Sequence, residues 1–405
     1  MCQVDKQQVL LSDNWKETST KVVVSKYDIG DIIREYLPQI WSSTSLTVHQ
    51  KRMLQALADC RTEALGTHLL ACTECGSMQL ACNSCRNRNC PKCQGRRRAE
   101  WIAAREAELL PVPYFHLVFT LPHQLNGLCL MYPKLMYNCL FQATWYTVQK
   151  LSKDPKWLGA MTGMTAVLHT WGSNMSLHPH LHCIVPGGGL TDSGEWKMAR
   201  SNGNYLFNRH VMGLIFRARF VKLLRELIDQ KAIPSTAIEK DLFKNLFAKE
   251  WITYAKRPFM GPKAVVEYLG RYTHKIAISN HRITKVTKTH VHFRYKNYRK
   301  ESKAEEMVLT KWEFIRRFAL HIVPHKFVRI RHYGFLANRN KKHYLAQARR
   351  ALQVMPPTSE EENPIPAIPP QVNQQLAWCG TCQKVTIQQI LEVIAPPVRG
   401  SPTKV

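Results

Sequence analysis

Three histidines at alternate positions are the residues of this chain best suited to chemistry. They are His178, His180 and His182, and the apolar run Cys183–Val185 follows them directly. In a β-strand, residues two apart project from the same face. A strand at this position would therefore bring two or three imidazoles close enough to bind one metal ion.

A pair of tyrosines at helical spacing, Tyr268 and Tyr272, supplies a second chemical group. On a helix these side chains would lie on one face, one turn apart. A metal ion bound by histidines can polarise a phosphodiester, and a tyrosine oxygen can attack its phosphorus. The products would be a covalent phosphotyrosine and a free hydroxyl. Histidines and tyrosines together predict an enzyme that nicks and joins DNA strands.

The cysteines predict a separate metal site. Of the 13 cysteines, seven lie between Cys60 and Cys93. In a reducing compartment such crowding is typical of thiolate metal binding rather than of disulfides. Three Cys-x-x-Cys pairs fall in this stretch: Cys72 with Cys75, Cys82 with Cys85, and Cys90 with Cys93. Since a tetrahedral zinc ion takes four ligands of this kind, the stretch predicts a structural Zn²⁺ site.

The spacing of the cysteines predicts a zinc site but does not fix which of them share one ion. We expect Cys72, Cys75, Cys90 and Cys93 to form one zinc ribbon, with the intervening residues as a hairpin between two knuckles. The remaining candidates for a second zinc are Cys60, His68 and Cys85, with Cys82 as a fourth. One zinc ion and two zinc ions both remain open, because spacing does not fix connectivity.

The charge of the chain indicates a polyanionic partner. Lys and Arg number 57 against 29 Asp and Glu, which gives a formal net charge of +28 and a pI of about 9.7. The DNA-binding candidates are Arg86, Arg88, Arg96 and Arg97 around the cysteines, Arg294 and Lys296 on a predicted strand, and Arg331 beyond it. A strand over 289–296 would turn Val291, Phe293 and Tyr295 inward and its basic residues outward, towards a DNA backbone.

Other classes of protein fit the sequence less well. No apolar run approaches the roughly 18 residues of a membrane span, and the first residues lack the pattern of a secretion signal. We therefore expect a cytoplasmic protein. A metallo-hydrolase of the His-x-His-x-Asp-His type would need an aspartate where Cys183–Val185 stands. The remaining alternative is a zinc-dependent DNA-binding protein without catalysis, such as a repressor, in which the tyrosines are structural.

Several predicted elements would position these residues. The spacing of apolar residues predicts two short amphipathic helices between Asp28 and Leu65. A buried strand is predicted over Tyr114–Leu121, and Ala166–Trp171 should pair with the histidine strand across a turn, which places His169 on the partner strand. Beyond Met355 the composition becomes proline-rich, and the stretch with Cys379 and Cys382 is too short to stand alone.

In these motifs the chain resembles the two-tyrosine HUH rolling-circle transposases of bacterial insertion sequences, which carry an N-terminal zinc-binding domain. The matching stretches are Ser84–Gln94, Tyr114–Pro122, Leu168–Trp171, His178–Cys183, Tyr268–His274 and Arg331–Phe335. They occur in the family's order between about residues 28 and 350. The length and order of these matches are poorly explained by chance.

The resemblance implies an α+β fold whose nuclease core is an RRM-like antiparallel sheet flanked by helices. His180 and His182 would lie on a central strand and bind Mg²⁺ or Mn²⁺, with His169 as the first choice for a third ligand and His178 as the second. Tyr268 and Tyr272 would alternate as nucleophiles on single-stranded DNA at the insertion-sequence ends and target, each nick leaving a 5′-phosphotyrosine and a free 3′ hydroxyl.

The implied domain organisation has four parts. These are a leader (1–27), a zinc-binding DNA-recognition domain (28–100), a nuclease domain (101–350), and a proline-rich linker with a C-terminal tail (351–405). No role is assigned to Cys379 and Cys382.

Overall fold

The computed structural model describes residues 25–199, 206–256, 270, 276–297, 300, 303–354 and 374–395. Its helices are α1 (Ile29–Glu35), α2 (Leu37–Ser42), α3 (Val48–Ala58), α4 (Gln94–Glu106), α5 (Asn126–Met131), α6 (Pro133–Lys153), α7 (Arg209–Asp229), α8 (Leu242–Ala248), α9 (Lys311–Leu320) and α10 (Lys341–Ala351). Its strands are β1 (Thr67–Cys72), β2 (Met78–Cys82), β3 (Tyr114–Thr120), β4 (Gly163–Trp171), β5 (Leu177–Pro186), β6 (Gly188–Leu190), β7 (Trp196–Met198), β8 (Thr253–Lys256), β9 (Ile283–Val286), β10 (His290–Asn297), β11 (Lys303–Thr310), β12 (Ile330–Gly334), β13 (Gln374–Cys379) and β14 (Lys384–Ile394). The protein is α+β. Within the described ranges, no helix is both long enough and apolar enough to cross a membrane.

The chain divides into two compact units. The cysteine unit comprises Met1–Arg97, Ile278–Ile322 and Ile365–Val405, and the histidine unit comprises Arg98–Ala277 and Val323–Pro364. The first boundary lies close to the expected one at residue 100. The segment 278–322 differs from expectation, since it groups with the cysteine unit rather than with the nuclease domain of 101–350.

A five-stranded antiparallel sheet forms the centre of the histidine unit, in the order β12-β4-β5-β3-β8. The predicted strand at Tyr114–Leu121 is confirmed as β3, and the predicted pair is confirmed as β4 and β5. The turn between β4 and β5 is closed by a hydrogen bond from Gly172 N to Ser176 O of 2.9 Å. The histidine strand β5 is the middle strand of the five, with a neighbour on each side.

The two faces of this sheet are chemically different because side chains alternate along each strand. Leu181, Cys183 and Val185 of β5 point into the main core, where they join Leu117 and Phe119 of β3. Residues of α6 and α7 complete that core, among them Leu140, Phe141, Phe216 and Phe220. By the same alternation, the histidines of β5 lie on the opposite face.

A second, smaller apolar cluster covers part of the histidine face. Tyr114 of β3 and Ile184 of β5 pack there with Leu345 of α10 and Phe335. This face is therefore apolar around Ile184. His182 and His180 follow on the same face, two and four residues nearer the start of β5. This arrangement leaves the histidines at the end of the sheet nearest the turn between β4 and β5.

In the cysteine unit, contacts between distant parts of the sequence explain why 278–322 belongs there. Ile29 N of α1 donates to Asn280 Oδ1 at 3.2 Å, and Lys311 at the start of α9 forms an ion pair with Glu35 at the end of α1. The sheet β11-β10-β9 packs on α9, where the rings of Phe293 and Phe314 meet edge to face at 5.9 Å. Sequence periodicity predicted the strand over 289–296 but could not show which helices it would pack against.

Residues near the C-terminus also contribute strands to the cysteine unit. Described residues 374–395 form β13 and β14, and the sheet order is β13-β14-β1-β2. β14 is antiparallel to β1, with pairs from Thr67 with Ile394 to Cys72 with Gln388. Within the expected linker and C-terminal tail over 351–405, residues 374–395 therefore contribute two strands. They were too short to fold alone, but β1 offers them an edge to pair with.

Candidate metal centres and nucleic-acid interface

The three histidines that the sequence singled out for a nuclease metal come together. His180 and His182 project from one face of β5, and His169 on β4 is the direct partner of His180 in the antiparallel register. The ring nitrogens of all three lie within 4.8 Å of one another. His169 and His182 are buried, whereas His180 is half-buried. His178, the second choice for a third ligand, is exposed and lies outside this group.

Hydrogen bonds orient two of the imidazoles towards each other. His180 Nδ1 lies 2.6 Å from the carbonyl oxygen of His178, so Nδ1 carries the proton and a neutral ring keeps a lone pair on Nε2. That Nε2 lies 3.2 Å from Nε2 of His182. In a metal-binding histidine, one ring nitrogen usually donates to a partner of this kind and the other coordinates the ion.

A fourth histidine, missed by the sequence analysis, orients His182. His116 on β3 is 3% exposed, and its Nε2 lies 2.8 Å from Nδ1 of His182. The two rings stack at 5.1 Å with 14° between their planes. Residue 116 was visible only as part of a buried strand, because its place beside His182 depends on the register of β3 against β5.

The surroundings of His169 restrict its ring further. It stacks on Trp171 at 4.5 Å, with an interplanar angle of 19°. A three-imidazole set without a carboxylate in the group fits a divalent transition metal ion better than Mg²⁺, which prefers oxygen ligands.

Cysteine sulfurs form two groups in the described part of the chain. The first consists of Cys60, Cys85, Cys90 and Cys93. Cys60 Sγ lies 3.5 Å from the sulfurs of Cys90 and Cys93, and Cys85 Sγ lies 3.7 Å from that of Cys93. A disulfide bond would need about 2.05 Å. With Zn–S bonds of about 2.3 Å, a tetrahedral zinc separates its sulfurs by roughly 3.8 Å, so the group fits a zinc ion.

The second group combines Cys72 and Cys75 with Cys379 and Cys382. The expected ribbon of Cys72, Cys75, Cys90 and Cys93 is therefore wrong. Cys72 ends β1, whereas Cys85 follows the far end of β2, and β1 and β2 form a hairpin in which Thr67 is opposite Cys82. The five steps from Thr67 to Cys72, at about 3.4 Å each, place the two knuckles roughly 17 Å apart, at opposite ends of this hairpin.

Two other candidate zinc ligands lie in neither group. His68 Nδ1 is 3.0 Å from Asn83 Oδ1, and Cys82 is half-buried at the end of β2. His68 and Cys82 were both expected as zinc ligands. Instead they lie on the paired strands of the β1–β2 hairpin and in neither sulfur group. His68 is within a strand whose neighbours are Ala81 and Val393, neither of which can bind a metal through its side chain.

Around the first sulfur group, the arginines differ in exposure. Arg86 is exposed, while Arg88 is half-buried and its pKa is lowered by desolvation. Arg96 and Arg97 are on α4, but their side chains lie outside the described part of the chain. Lys92 is not available to a ligand, since its Nζ contacts Asp28 Oδ2 at 2.6 Å and the carbonyl oxygen of Cys60 at 2.8 Å.

The predicted basic strand is confirmed in its geometry but is less cationic than its sequence indicated. On β10, Val291 and Phe293 are buried, and Arg294 and Lys296 are exposed. The neighbouring strand β11 adds two carboxylates that the sequence analysis left out. Glu306 pairs in register with Arg294, and Glu305 accepts from the phenol of Tyr295 at 2.6 Å.

Both carboxylates are ionised at neutral pH. The Tyr295 phenol, first among several donors, lowers the pKa of Glu305 to about 2. The Thr284 hydroxyl, at 2.6 Å, likewise lowers the pKa of Glu306, followed by His292. The negative charges reduce the attraction of this strand for phosphate.

Arg331 has partners within the histidine unit. Its guanidinium lies 4.1 Å from the ring centroid of Phe141, and its Nη2 donates to Asn138 Oδ1 at 2.6 Å. These contacts hold β12, the strand that carries Arg331, against α6. Arg331 therefore has a packing role beside its predicted role at DNA.

The two candidate nucleophiles, Tyr268 and Tyr272, lie outside the described residues. Gly270 between them is described, and it is helical and buried.

Comparisons with known proteins bear on both units. A family model for the transposase zinc-binding domain of the IS91 type matches residues 32–121, and a family model described as "Putative transposase" (Y2_Tnp) matches residues 163–343. The transposase for insertion sequence element IS801 of Pseudomonas savastanoi pv. phaseolicola is 30% identical over 314 residues, which are 74% of this chain and 73% of that protein. The chain belongs to the IS91-type transposase family.

Another relative covers almost the whole transposase. The protein named "Putative transposase y4qJ" of Sinorhizobium fredii is 41% identical over 387 residues, which are 91% of this chain and 97% of that protein. Among solved structures, the conjugative relaxase TrwC, in its metal-bound complex with oriT DNA, matches 44% of this chain and 81% of its own, with a TM-score of 0.24 and 9% identity. Family membership makes DNA the substrate of this protein.

Proposed function

We propose that this transposase nicks and rejoins single DNA strands by tyrosine-mediated transesterification, as in rolling-circle transposition of an insertion sequence. The observation that carries the proposal is the convergence of His169, His180 and His182 on one face of the central strand pair. That face is opposite the main core, and hydrogen bonds and ring stacking fix the imidazoles there.

The proposed reaction exchanges one phosphodiester for another. The phenol of Tyr268 loses its proton, and its oxygen attacks the phosphorus of the scissile phosphodiester. The bond from phosphorus to the 3′ oxygen breaks, and that oxygen takes up a proton. The strand's 5′ end is then held as a phosphotyrosine beside a free 3′ hydroxyl. Tyr272 acts likewise on a second strand, and attack by a 3′ hydroxyl on a phosphotyrosine restores the phenol and joins the DNA.

The histidines would hold a divalent metal ion. His180 and His182 would offer Nε2, and the hydrogen bond from His180 Nδ1 to the His178 carbonyl keeps the former ring in the required tautomer. The bound ion would supply positive charge to the phosphate oxygens of the transition state. Of the two ions first expected, Mn²⁺ suits the all-imidazole ligand set better than Mg²⁺.

The cysteine unit would recognise DNA. In this proposal Cys60, Cys85, Cys90 and Cys93 bind a structural zinc ion, and the exposed Arg86 within the same loop contacts the DNA backbone. The thiolates order a stretch with little regular structure between β2 and α4.

Tyr295 and Tyr333, two other tyrosines of the chain, have surroundings that make them poor nucleophiles. Tyr295 donates its phenolic proton to Glu305, and the ionised carboxylate raises the pKa of that phenol. Tyr333 stacks on Trp145 at 5.2 Å, and burial raises its pKa. A raised pKa leaves less phenolate at neutral pH.

A covalent-adduct experiment tests the proposal. Purified protein is incubated with single-stranded oligonucleotides from the insertion-sequence ends and with Mn²⁺ or Mg²⁺, and adducts that survive a denaturing gel are mapped by mass spectrometry. We expect the nucleotide on Tyr268 or Tyr272. Tyr268→Phe with Tyr272→Phe should remove the adduct, and His182→Ala should reduce it to background. Tyr146→Phe, at an exposed position of α6 on the other side of the sheet, should leave it unchanged.

The same experiment separates the enzyme from a DNA-binding protein without catalysis. Retained DNA binding with no adduct under any metal condition would support the latter. An adduct on Tyr295 or Tyr333, or undiminished cleavage by His182→Ala, would overturn the assignment of the site.

A further inference from the structure

We infer that Cys72, Cys75, Cys379 and Cys382 bind a zinc ion of their own, which fastens the C-terminal hairpin of the chain to the first strand of the cysteine unit. Neither family match includes Cys379 or Cys382, since they end at residues 121 and 343. The inference is independent of the nicking chemistry proposed above.

The sulfur geometry is that of a zinc site. Cys72 Sγ lies 3.8 Å from Cys382 Sγ, and Cys75 Sγ lies 3.6 Å from Cys379 Sγ. The edge of a zinc tetrathiolate tetrahedron is roughly 3.8 Å for Zn–S bonds of about 2.3 Å. All four sulfurs are within 4.8 Å of one another, so one ion can reach each of them. A pair of disulfides would bring the sulfurs to about 2.05 Å.

Hydroxyl groups surround the sulfurs of this group. The Thr386 hydroxyl lies 3.3 Å from Cys72 Sγ. The Ser77 hydroxyl lies 3.1 Å from Cys75 Sγ and 3.3 Å from Cys379 Sγ. Hydrogen bonds of this kind from outside the ligand set stabilise metal-bound sulfur.

The strands bring the two pairs together. Cys72 is the last residue of β1 and Cys379 the last of β13, while the turn from β13 to β14 contains Cys382. Because β14 lies between β13 and β1, antiparallel to both, the two Cys-x-x-Cys turns meet at the same end of the sheet. Each pair is one of the tight knuckles from which tetrathiolate zinc sites are built.

Metal content of the full-length protein provides the first test. Protein purified without chelator is analysed for zinc, and Co²⁺ is substituted to report tetrathiolate sites by their ligand-field bands. We expect two tetrathiolate sites in the unaltered protein and one in the Cys379→Ser, Cys382→Ser double variant. Cys82→Ser is the matched control, since Cys82 is in neither sulfur group, and should keep two. Two sites in the double variant, or one in the unaltered protein, would overturn the inference.

A second test uses the unaltered chain and so does not depend on a variant's folding. Native protein is alkylated with iodoacetamide before and after zinc removal, and the labelled cysteines are identified by mass spectrometry. Cys379 and Cys382 should be protected until zinc is removed and should become labelled in the same step as Cys72 and Cys75. Labelling of Cys379 and Cys382 while Cys72 and Cys75 stay protected would refute the site, as would a disulfide between the pairs.

Discussion

At the scale of single residues, His116 is the side chain whose role is most open to measurement. Its Nε2 contacts Nδ1 of His182, whereas Nε2 of His182 faces His180. We predict that His116→Ala weakens Mn²⁺ binding by about 10–100-fold, because the His182 ring loses the partner that fixes its orientation. Mn²⁺ titration of the protein gives the affinity directly, and nicking should recover at high Mn²⁺.

Two further variants make this test specific. His116→Gln keeps a hydrogen-bonding group and should retain more affinity than His116→Ala. His210→Ala removes a surface histidine of the same unit that pairs with Glu250, and it should bind Mn²⁺ as the unaltered protein does. Equal Mn²⁺ affinities for His116→Ala and the unaltered protein would show that His116 is only a packing residue.

The candidate site shows which residues a sequence can reveal. His180 and His182 were predictable because a strand repeats every two residues, and His169 because a short turn fixes the register of β4 against β5. His116 was not predictable, since β3 is separated from β5 by two helices and another strand. The partners of Cys72 and Cys75 were hidden for the same reason: they come from strands about 300 residues away, beyond the range of any local turn geometry.

At the scale of elements, Gly334 at the end of β12 is the residue on which the edge of the five-stranded sheet depends. Its φ is +61°, and a Cβ there would lie 1.9 Å from the backbone oxygen of Thr162. We predict that Gly334→Ala lowers the free energy of unfolding by more than the roughly 1–2 kcal/mol of the left-handed conformation alone, because backbone atoms must also move. Chemical denaturation monitored by tryptophan fluorescence measures the loss.

Gly127→Ala in α5 is the matched control for this effect. No atom lies within 4 Å of the position where its Cβ would stand, and alanine is the better helix former by about 1 kcal/mol. The control should therefore be neutral or slightly stabilising. If Gly334→Ala unfolded at the same denaturant concentration as Gly127→Ala, the close approach of β12 to Thr162 would be wrong.

The elements themselves were predicted more readily than their grouping. The strand at Tyr114–Leu121 and the basic strand at 289–296 were visible because apolar residues recur at strand spacing. Their membership of different units was not visible. The grouping of β9–β11 and α9 with α1 rests on contacts such as Lys311 with Glu35, and no local pattern records these. The acidic neighbours Glu305 and Glu306 were likewise found only when the register of β11 was known.

At the scale of the whole molecule, the charge of +28 determines how DNA binding should respond to salt. We predict that the dissociation constant for DNA rises steeply with salt concentration. In a plot of its logarithm against the logarithm of the salt concentration, each phosphate contact should add about 0.7 to the slope on single strands and about 0.9 on duplex DNA. Arg86→Ala should reduce the slope by about one contact. Fluorescence anisotropy of labelled DNA over a range of salt concentrations gives the slope.

Arg34→Ala is the control for Arg86→Ala. Arg34 is also an arginine of the cysteine unit, but it is paired with Asp31 at 2.8 Å. Its removal should leave the slope unchanged. A flat response of the unaltered protein to salt would mean that the positive charge serves solubility instead of DNA binding.

The order of strands in the cysteine unit has a consequence for how the protein is made. Cys382 is 310 residues after Cys72, and at 5–20 residues per second the ribosome needs roughly 15–60 s to travel between them. Throughout that interval β1 has an unpaired edge, and the unit cannot close until β14 emerges. A polypeptide terminated early by a nonsense codon or a frameshift would carry the N-terminal cysteines yet lack their sheet partner. Completion of the cysteine unit therefore requires translation through β14.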